Sequence, residues 1–170
     1  HGDVERRRAD RLAKLPPWQQ RARDQGPTEH VLRLALDVNA PWLRVEAEGV
    51  NRSENHRLRL RFRSDVAGDE VWADAAFGPV RRIPLVVPPE DDIAETPQLT
   101  APLHRYVSRF DDTRGVTVFS DGLAEYAAAD DGSILITLLR AVGELSVSDL
   151  PERPGNAGWP KDTPGAQCPG

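Results

Sequence analysis

Methionine is absent from the 170 residues, and cysteine occurs once, at Cys168. Without a methionine, His1 is not a translation start, so either a leader has been removed or the chain is a segment of a longer protein. The segment is the simpler expectation. A lone cysteine excludes an internal disulfide and a cysteine-built zinc site, and no nucleophile signature surrounds it. Lysine is scarce as well: Lys14 and Lys161 stand against twenty arginines. With abundant Ala and Pro, that bias points to a GC-rich bacterial gene, where the Asn51-Arg52-Ser53 sequon would carry no glycan; a cytoplasmic setting is expected for the chain.

Long apolar runs are missing too. Nothing approaches the roughly 18 residues of a membrane-spanning helix, and no apolar stretch follows the charged start as it would in a secretory leader. Nor is there an excess of positive charge. A net charge of −5 and a pI near 5.4 argue against general nucleic-acid binding. Arg6-Arg7-Arg8 is interleaved with Asp3, Glu5 and Asp10, which describes a solvated helix face better than a phosphate-binding patch. What remains, at 39% hydrophobic and 29% charged residues, suits one water-soluble globular domain.

The stretch from Asp3 to Leu15 reads as a short charged helix stopped by Pro16-Pro17, so residues 1–27 form an N-terminal arm or linker with Trp18 as a docking anchor. From His30 the apolar period becomes two. Leu32, Leu34, Leu36 and Val38 alternate with polar residues, then Leu43, Val45 and Ala47, then Leu58, Leu60 and Phe62 against Arg57, Arg59 and Arg61. This predicts three antiparallel strands joined by turns, with one apolar and one charged face. Further strands are predicted at Glu70 to Ala73, Arg82 to Val87, His104 to Phe110, Val116 to Ser120 and Ile134 to Ala141. Asp130-Asp131-Gly132 supplies the turn of a hairpin between Ala124 to Ala128 and the last strand. That last strand is apolar on both faces and should be central, buried on both sides. Pro88 to Asp92 reads as an exposed loop and 151–170 as coil. Residues 28–150 are thus expected to be a mainly β domain, an antiparallel β-sandwich.

Catalytic signatures are sparse. Histidines at 1, 30, 56 and 104 show no metal-ligand spacing, and there is no nucleophile elbow or phosphate-cradling loop. Asp74, Asp121 and Glu125 are the carboxylates flanked by apolar residues and turns. They are expected to serve turns (Asp74, Asp121) or to pair with an arginine such as Arg105 or Arg140 (Glu125).

An ordered set of short motifs resembles a known family. Asn55-His56-Arg57-Leu58-Arg59 is followed by Asp74-Ala75-Ala76-Phe77-Gly78 with Arg81-Arg82, then by Pro102-Leu103-His104-Arg105-Tyr106-Val107 and Gly122-Leu123-Ala124-Glu125-Tyr126. Leu138-Leu139-Arg140-Ala141-Val142-Gly143, Arg153-Pro154-Gly155 and Pro164-Gly165-Ala166-Gln167-Cys168 complete it. Over residues 28–170 this succession looks like the C-terminal β region of glycoside hydrolase family 38, the bacterial α-mannosidases and mannosylglycerate hydrolase-like enzymes. The resemblance implies a multidomain retaining glycosidase acting on α-mannosides, and a fold of the galactose-mutarotase-like supersandwich kind, with the sheet left incomplete by this segment. Zinc and the catalytic carboxylates would lie in a separate catalytic domain, so no catalytic or metal residue is carried onto this chain. Two departures stand out: Ala127 follows Glu125-Tyr126 where relatives often place an acid, and relatives usually run on into further strands past the Gln-Cys motif.

Three functions compete on this reading. The first is a non-catalytic domain, inactive alone, that supports the catalytic domain of the same polypeptide and frames the sugar through Asp74, Arg82, His104 and Arg105. The second is a stand-alone carbohydrate-binding module using Trp42, Trp72, Trp159 or Tyr106, although Trp72 and Tyr106 lie in strands and are expected in the core. The third makes Asp3 to Pro27 a docking arm for a partner. The first is preferred.

Overall fold

The computed structural model describes residues 29–66, 70–83, 97–147 and 158–168. The N-terminal arm, the loop expected at Pro88 to Asp92 and much of the C-terminal coil lie outside them. The described chain is almost entirely antiparallel β, with one short 3-10 turn at Pro164–Gln167. It divides into two compact units, residues 57–140 with 146–161 and residues 1–56 with 141–145 and 162–170.

Twelve strands follow in order among the described residues: β1 (His30–Ala35), β2 (Arg44–Gly49), β3 (Arg57–Phe62), β4 (Val71–Ala75), β5 (Gly78–Arg82), β6 (Thr100–Pro102), β7 (Tyr106–Phe110), β8 (Gly115–Phe119), β9 (Glu125–Ala128), β10 (Ile134–Arg140), β11 (Glu144–Leu145) and β12 (Lys161–Asp162). The larger unit holds two four-stranded sheets, ordered β3-β10-β9-β6 and β5-β4-β7-β8. Side chains alternate faces along a strand. Ile134 and Ile136 of β10 and Tyr126 of β9 therefore point the same way, and meet Val71 and Ala73 of β4, Val107 of β7 and Val118 of β8 in one core. Leu103 completes that core, and Phe62, Leu123 and Ala128 pack around it. The predicted antiparallel sandwich is this pair of sheets.

The Ala129 to Ser133 hairpin turn is as the sequence signals. Ser133 N–H donates to Asp131 Oδ1 at 3.1 Å and Ala129 N–H to the Ser133 carbonyl at 2.9 Å. Gly132 sits at φ +84°, where a side chain would be strained. A Cβ there would also stand 3.0 Å from the Val66 carbonyl oxygen.

Three expectations need correction. β3 pairs with β10, not with β2, because its apolar face matches the most apolar strand in the chain. β10 is central as predicted but not buried throughout on both faces; Leu135, on the face opposite Ile134 and Ile136, is only half-buried beside the buried Thr137. β1 and β2 do pair, over six residues each. Their apolar side chains Val31, Leu32 and Leu34 nevertheless stay exposed, since a two-stranded ribbon brings no second layer to cover them.

The smaller unit is held by a polar junction of its own. Asn55 Oδ1 accepts from Gly143 N–H at 2.8 Å and from Gln167 Nε2 at 3.0 Å, while Asn55 N–H donates to Gln167 Oε1 at 2.8 Å. Asn51 Nδ2 donates to the carbonyls of Gln167 and Cys168, both at 2.9 Å. The nitrogen that a glycan would need is thereby committed to the fold. Gly143 is obligatory for a different reason from Gly132: a Cβ there would collide with Gln167 Nε2 and stand 2.6 Å from Asn55 Oδ1.

Two stability changes follow. Ile136→Ala removes a side chain that is 2% exposed from the inter-sheet core and should cost about 2–5 kcal/mol in urea unfolding. Asn55→Ala leaves the Gly143 N–H and Gln167 Nε2 without their acceptor, while the backbone N–H to Gln167 Oε1 is kept, and should cost about 1–3 kcal/mol. Its amide-exchange protection should fall first around Gly143.

Candidate functional site

The outer face of the β5-β4-β7-β8 sheet gathers the residues that sequence alone had scattered. With Val71, Ala73, Val107 and Val118 turned to the core, alternation turns Trp72 and Asp74 of β4, Tyr106, Ser108 and Phe110 of β7, and Thr117 and Phe119 of β8 outward. Trp72 stacks on Phe110 with centroids 6.4 Å apart and planes at 22°, and Tyr106 meets Phe119 at 5.9 Å. Ser108 and Thr117, paired across β7 and β8, share a hydroxyl hydrogen bond of 2.8 Å beside the rings. Phe110 and Phe119 are 57% and 73% exposed, so the face is an aromatic surface open to solvent. Trp72 and Tyr106 are half-buried on this face and not core residues as expected, because their neighbours of opposite parity fill the core.

Asp74 is only 3% exposed. Arg105 Nε donates to its Oδ2 at 2.8 Å, His104 Nδ1 lies 3.5 Å from the same oxygen, and His104 N–H donates to the Asp74 carbonyl at 2.9 Å. The Arg105 hydrogen bond holds the Asp74 carboxyl below its ordinary range, against the opposing effect of burial, and raises Arg105 in return. Asp74 is thus a strand residue with an arginine partner, and not the turn residue that was expected. His104 and Arg105 keep well-exposed side chains around it.

Of the four residues predicted to frame a sugar, three come together and one does not. Arg82 ends β5 opposite Val71, so it faces inward. It lines a separate cleft of about 390 Å³ with Val71, Val80, Leu99, Thr100 and Tyr126. Arg82 Nε and the Tyr126 hydroxyl are buried there without hydrogen-bond partners. Burial pushes the Tyr126 phenol above its usual range, with the Arg82 charge acting the other way.

A second charged cluster was only half visible in the sequence. Glu125 does pair with Arg140, at 3.6 Å, but also with Arg57 at 3.6 Å and Arg59 at 4.0 Å. The alternation of β3 announces Arg57 and Arg59. Arg140 joins them because β10 bulges at Leu138: Thr137 faces Arg59, and after the bulge Leu139 faces Leu58 and Arg140 faces Arg57. Strict alternation would have put Thr137 and Arg140 on opposite faces. A bulge reverses that parity, and no residue in Thr137 to Arg140 signals one.

Among the described residues, no group of three His, Cys, Asp or Glu side chains could hold a metal ion, so the zinc of the resembled family finds no fitting site in them. No described helix is long and apolar enough to cross a membrane. No protein-family model matches the chain. A putative mannosylglycerate hydrolase from Halalkalibacterium halodurans is 33% identical over 154 residues, 89% of this chain. The crystal structure of an α-mannosidase from Enterococcus faecalis V583 superposes with a TM-score of 0.70 and 32% identity over 85% of this chain. A second Enterococcus faecalis structure, a protein in glycosyl hydrolase family 38, gives 0.68 and 30% over the same share. In sequence and in fold the chain resembles family 38. It spans 16% of the length of the first relative and 15% of each solved chain, so the likeness to family 38 proteins concerns one region of much longer polypeptides.

The depressed Asp74, and Asp131 lowered chiefly by Ser133 hydrogen bonds with Arg61 assisting, give the fold a defined acid sensitivity. Both release protons more readily folded than unfolded. Their contribution is present above the unfolded carboxylate value of about 3.9 and is lost as pH falls through the lower folded values. Arg105→Ala should raise the Asp74 titration, read by carboxyl carbon NMR, and flatten the loss of stability below about pH 4.

Proposed function

We propose that the chain is a non-catalytic domain, C-terminal within a larger family 38 α-mannosidase, that supports the catalytic domain of the same polypeptide and helps frame its carbohydrate. The observation that carries this reading is the match to the α-mannosidase structure, 32% identity over 85% of this chain but only 15% of that one. The chemistry of Asp74 supports it. A retaining glycosidase needs one carboxyl kept protonated by a raised pKa beside a nucleophilic carboxylate. Asp74, the most buried carboxylate of the face, is shifted in the other direction by Arg105. Its use is to accept and orient, together with Arg105 and His104. Exposed guanidinium and imidazole groups held by a buried carboxylate present hydrogen-bond donors at fixed positions, which suits the hydroxyls of an α-mannoside. Arg82 stands apart from this set and has no part in the framing.

A second reading, a stand-alone carbohydrate-binding module, is favoured by one feature. The rings of Trp72, Tyr106, Phe110 and Phe119 share an open sheet face with Asp74 and Arg105 at hand. Aromatic faces pack against the C–H faces of pyranose rings while neighbouring polar groups meet their hydroxyls. Trp42 and Trp159 are exposed and, among the described residues, bring no such grouping.

The isolated chain should show no turnover of p-nitrophenyl α-mannoside, while a polypeptide that also carries the catalytic region should hydrolyse it. Measurable turnover by the isolated chain would overturn the non-catalytic role. On the second reading, mannobiose should quench tryptophan fluorescence with saturation in the isolated chain. Trp72→Phe should remove most of that signal, and an unchanged spectrum in the original chain discards the module.

A further inference from the structure

The outer face of β3 and β10 carries more guanidinium than it can use. Arg61 is matched one to one: it pairs with Asp131, and its Nε donates to Ser133 Oγ at 3.0 Å. Among the described residues, Arg57, Arg59 and Arg140 instead share the carboxylate of Glu125, which leaves two positive charges in excess there. Their approaches to it are 3.6 to 4.0 Å, beyond good hydrogen-bond length. The hydrogen bond that Glu125 does accept comes from Thr137 Oγ1 at 2.7 Å. Arg59 Nε donates weakly to the same hydroxyl at 3.4 Å. Most of the N–H donors of the three forks are therefore unspent among the described residues.

Nothing about stability asks for this arrangement. Arg140 and Arg57 stand directly opposite across the strand pair, and like charges so placed are destabilising. The side chains of Arg57 and Arg59 are 26% exposed, and that of Glu125 25%, so water screens the repulsion incompletely. Burial holds the Arg57 guanidinium less basic than usual, Glu125 opposes this, and the charges of Arg140 and Arg59 add to it. The bulge at Leu138 is what brings the third arginine in, and bulges commonly re-aim a side chain next to a functional site.

We propose that Arg57, Arg59 and Arg140 form a binding site for a small oxyanion, a carboxylate or a phosphate group, with Glu125 as the internal counter-charge that keeps the forks converged while the site is empty. Planar guanidinium forks fit the paired oxygens of both groups. The Glu125–Thr137 hydrogen bond anchors the counter-charge at one side of the cluster, leaving the remaining donors to the ligand.

The test is calorimetric titration of this chain with inorganic phosphate and, separately, with glycerate, at constant ionic strength set by chloride. Saturable binding of at least one probe is expected; phosphate alone or glycerate alone identifies which oxyanion the site prefers. Arg140→Gln, at an exposed position, should weaken it about tenfold, and Arg140→Lys, which keeps the charge but loses the fork, should weaken it as well. Glu125→Gln should tighten binding roughly threefold or more, since it removes the competing charge; a purely structural ion pair would not produce that gain. Near-ultraviolet circular dichroism confirms that each variant is folded. Absence of saturable binding with both probes, equal affinity in the Arg140 variants, or weaker binding in folded Glu125→Gln would each overturn the site.

Discussion

Apolar contact between two sheets is the constraint on which the larger unit depends. Ile134, Ile136 and Tyr126 from one sheet close against Val71, Ala73, Val107 and Val118 from the other. This is a small core, and several of its members are short side chains. Alanine at 73 lets the sheets approach where a larger residue would hold them apart, and close-packed interiors give little room for exchange. The parity of each strand is set by this contact. Once Val71 and Ala73 face inward, Trp72 and Asp74 must face outward, and the aromatic face with its carboxylate follows from the packing behind it. The arginine face of β3 arises in the same way from Leu60 and Phe62.

Much of this was legible in the residues because β-structure announces itself by period. Arg57 to Phe62, the hairpin at Asp130 to Gly132 and the strands at Tyr106 and Gly115 stand where the alternation put them. Partnership between strands was less legible. The period of β3 names its apolar face but not the strand it joins, and a contact between residues 62 and 134 leaves no local mark in either segment. Burial on the second face also escaped, since Leu135 looks like core whatever covers it. The candidate site was visible as residue types and invisible as geometry. Asp74, His104 and Arg105 were named together and lie together, whereas Arg82 was named with them and sits at the inward end of β5. One residue of register separates those outcomes, and a reading by period carries no register.

The near-exclusive use of arginine for positive charge matters to how these clusters work. A lysine beside Asp74 would supply a mobile point charge. Arg105 supplies a planar group that bonds through Nε and leaves the far end of its fork exposed. The same geometry lets three guanidiniums crowd around Glu125, where their weaker hydration lowers the cost of partial burial. Charge here is organised by direction as much as by sign.

The junction at Asn55 has a consequence for the order in which the chain acquires its structure. Asn55 bonds to Gln167, 112 residues later, and Asn51 to Gln167 and Cys168. The larger unit lies almost wholly between those points and can assemble from what has already been synthesised. The smaller unit cannot. During translation, Asn51 and Asn55 leave the ribosome before Gln167 and wait with open donors and acceptors until the Pro164–Gln167 turn emerges, which at about 5–20 residues per second is a delay of several seconds or more. Residues 51 and 55 are thus made well before the residues that complete their bonding.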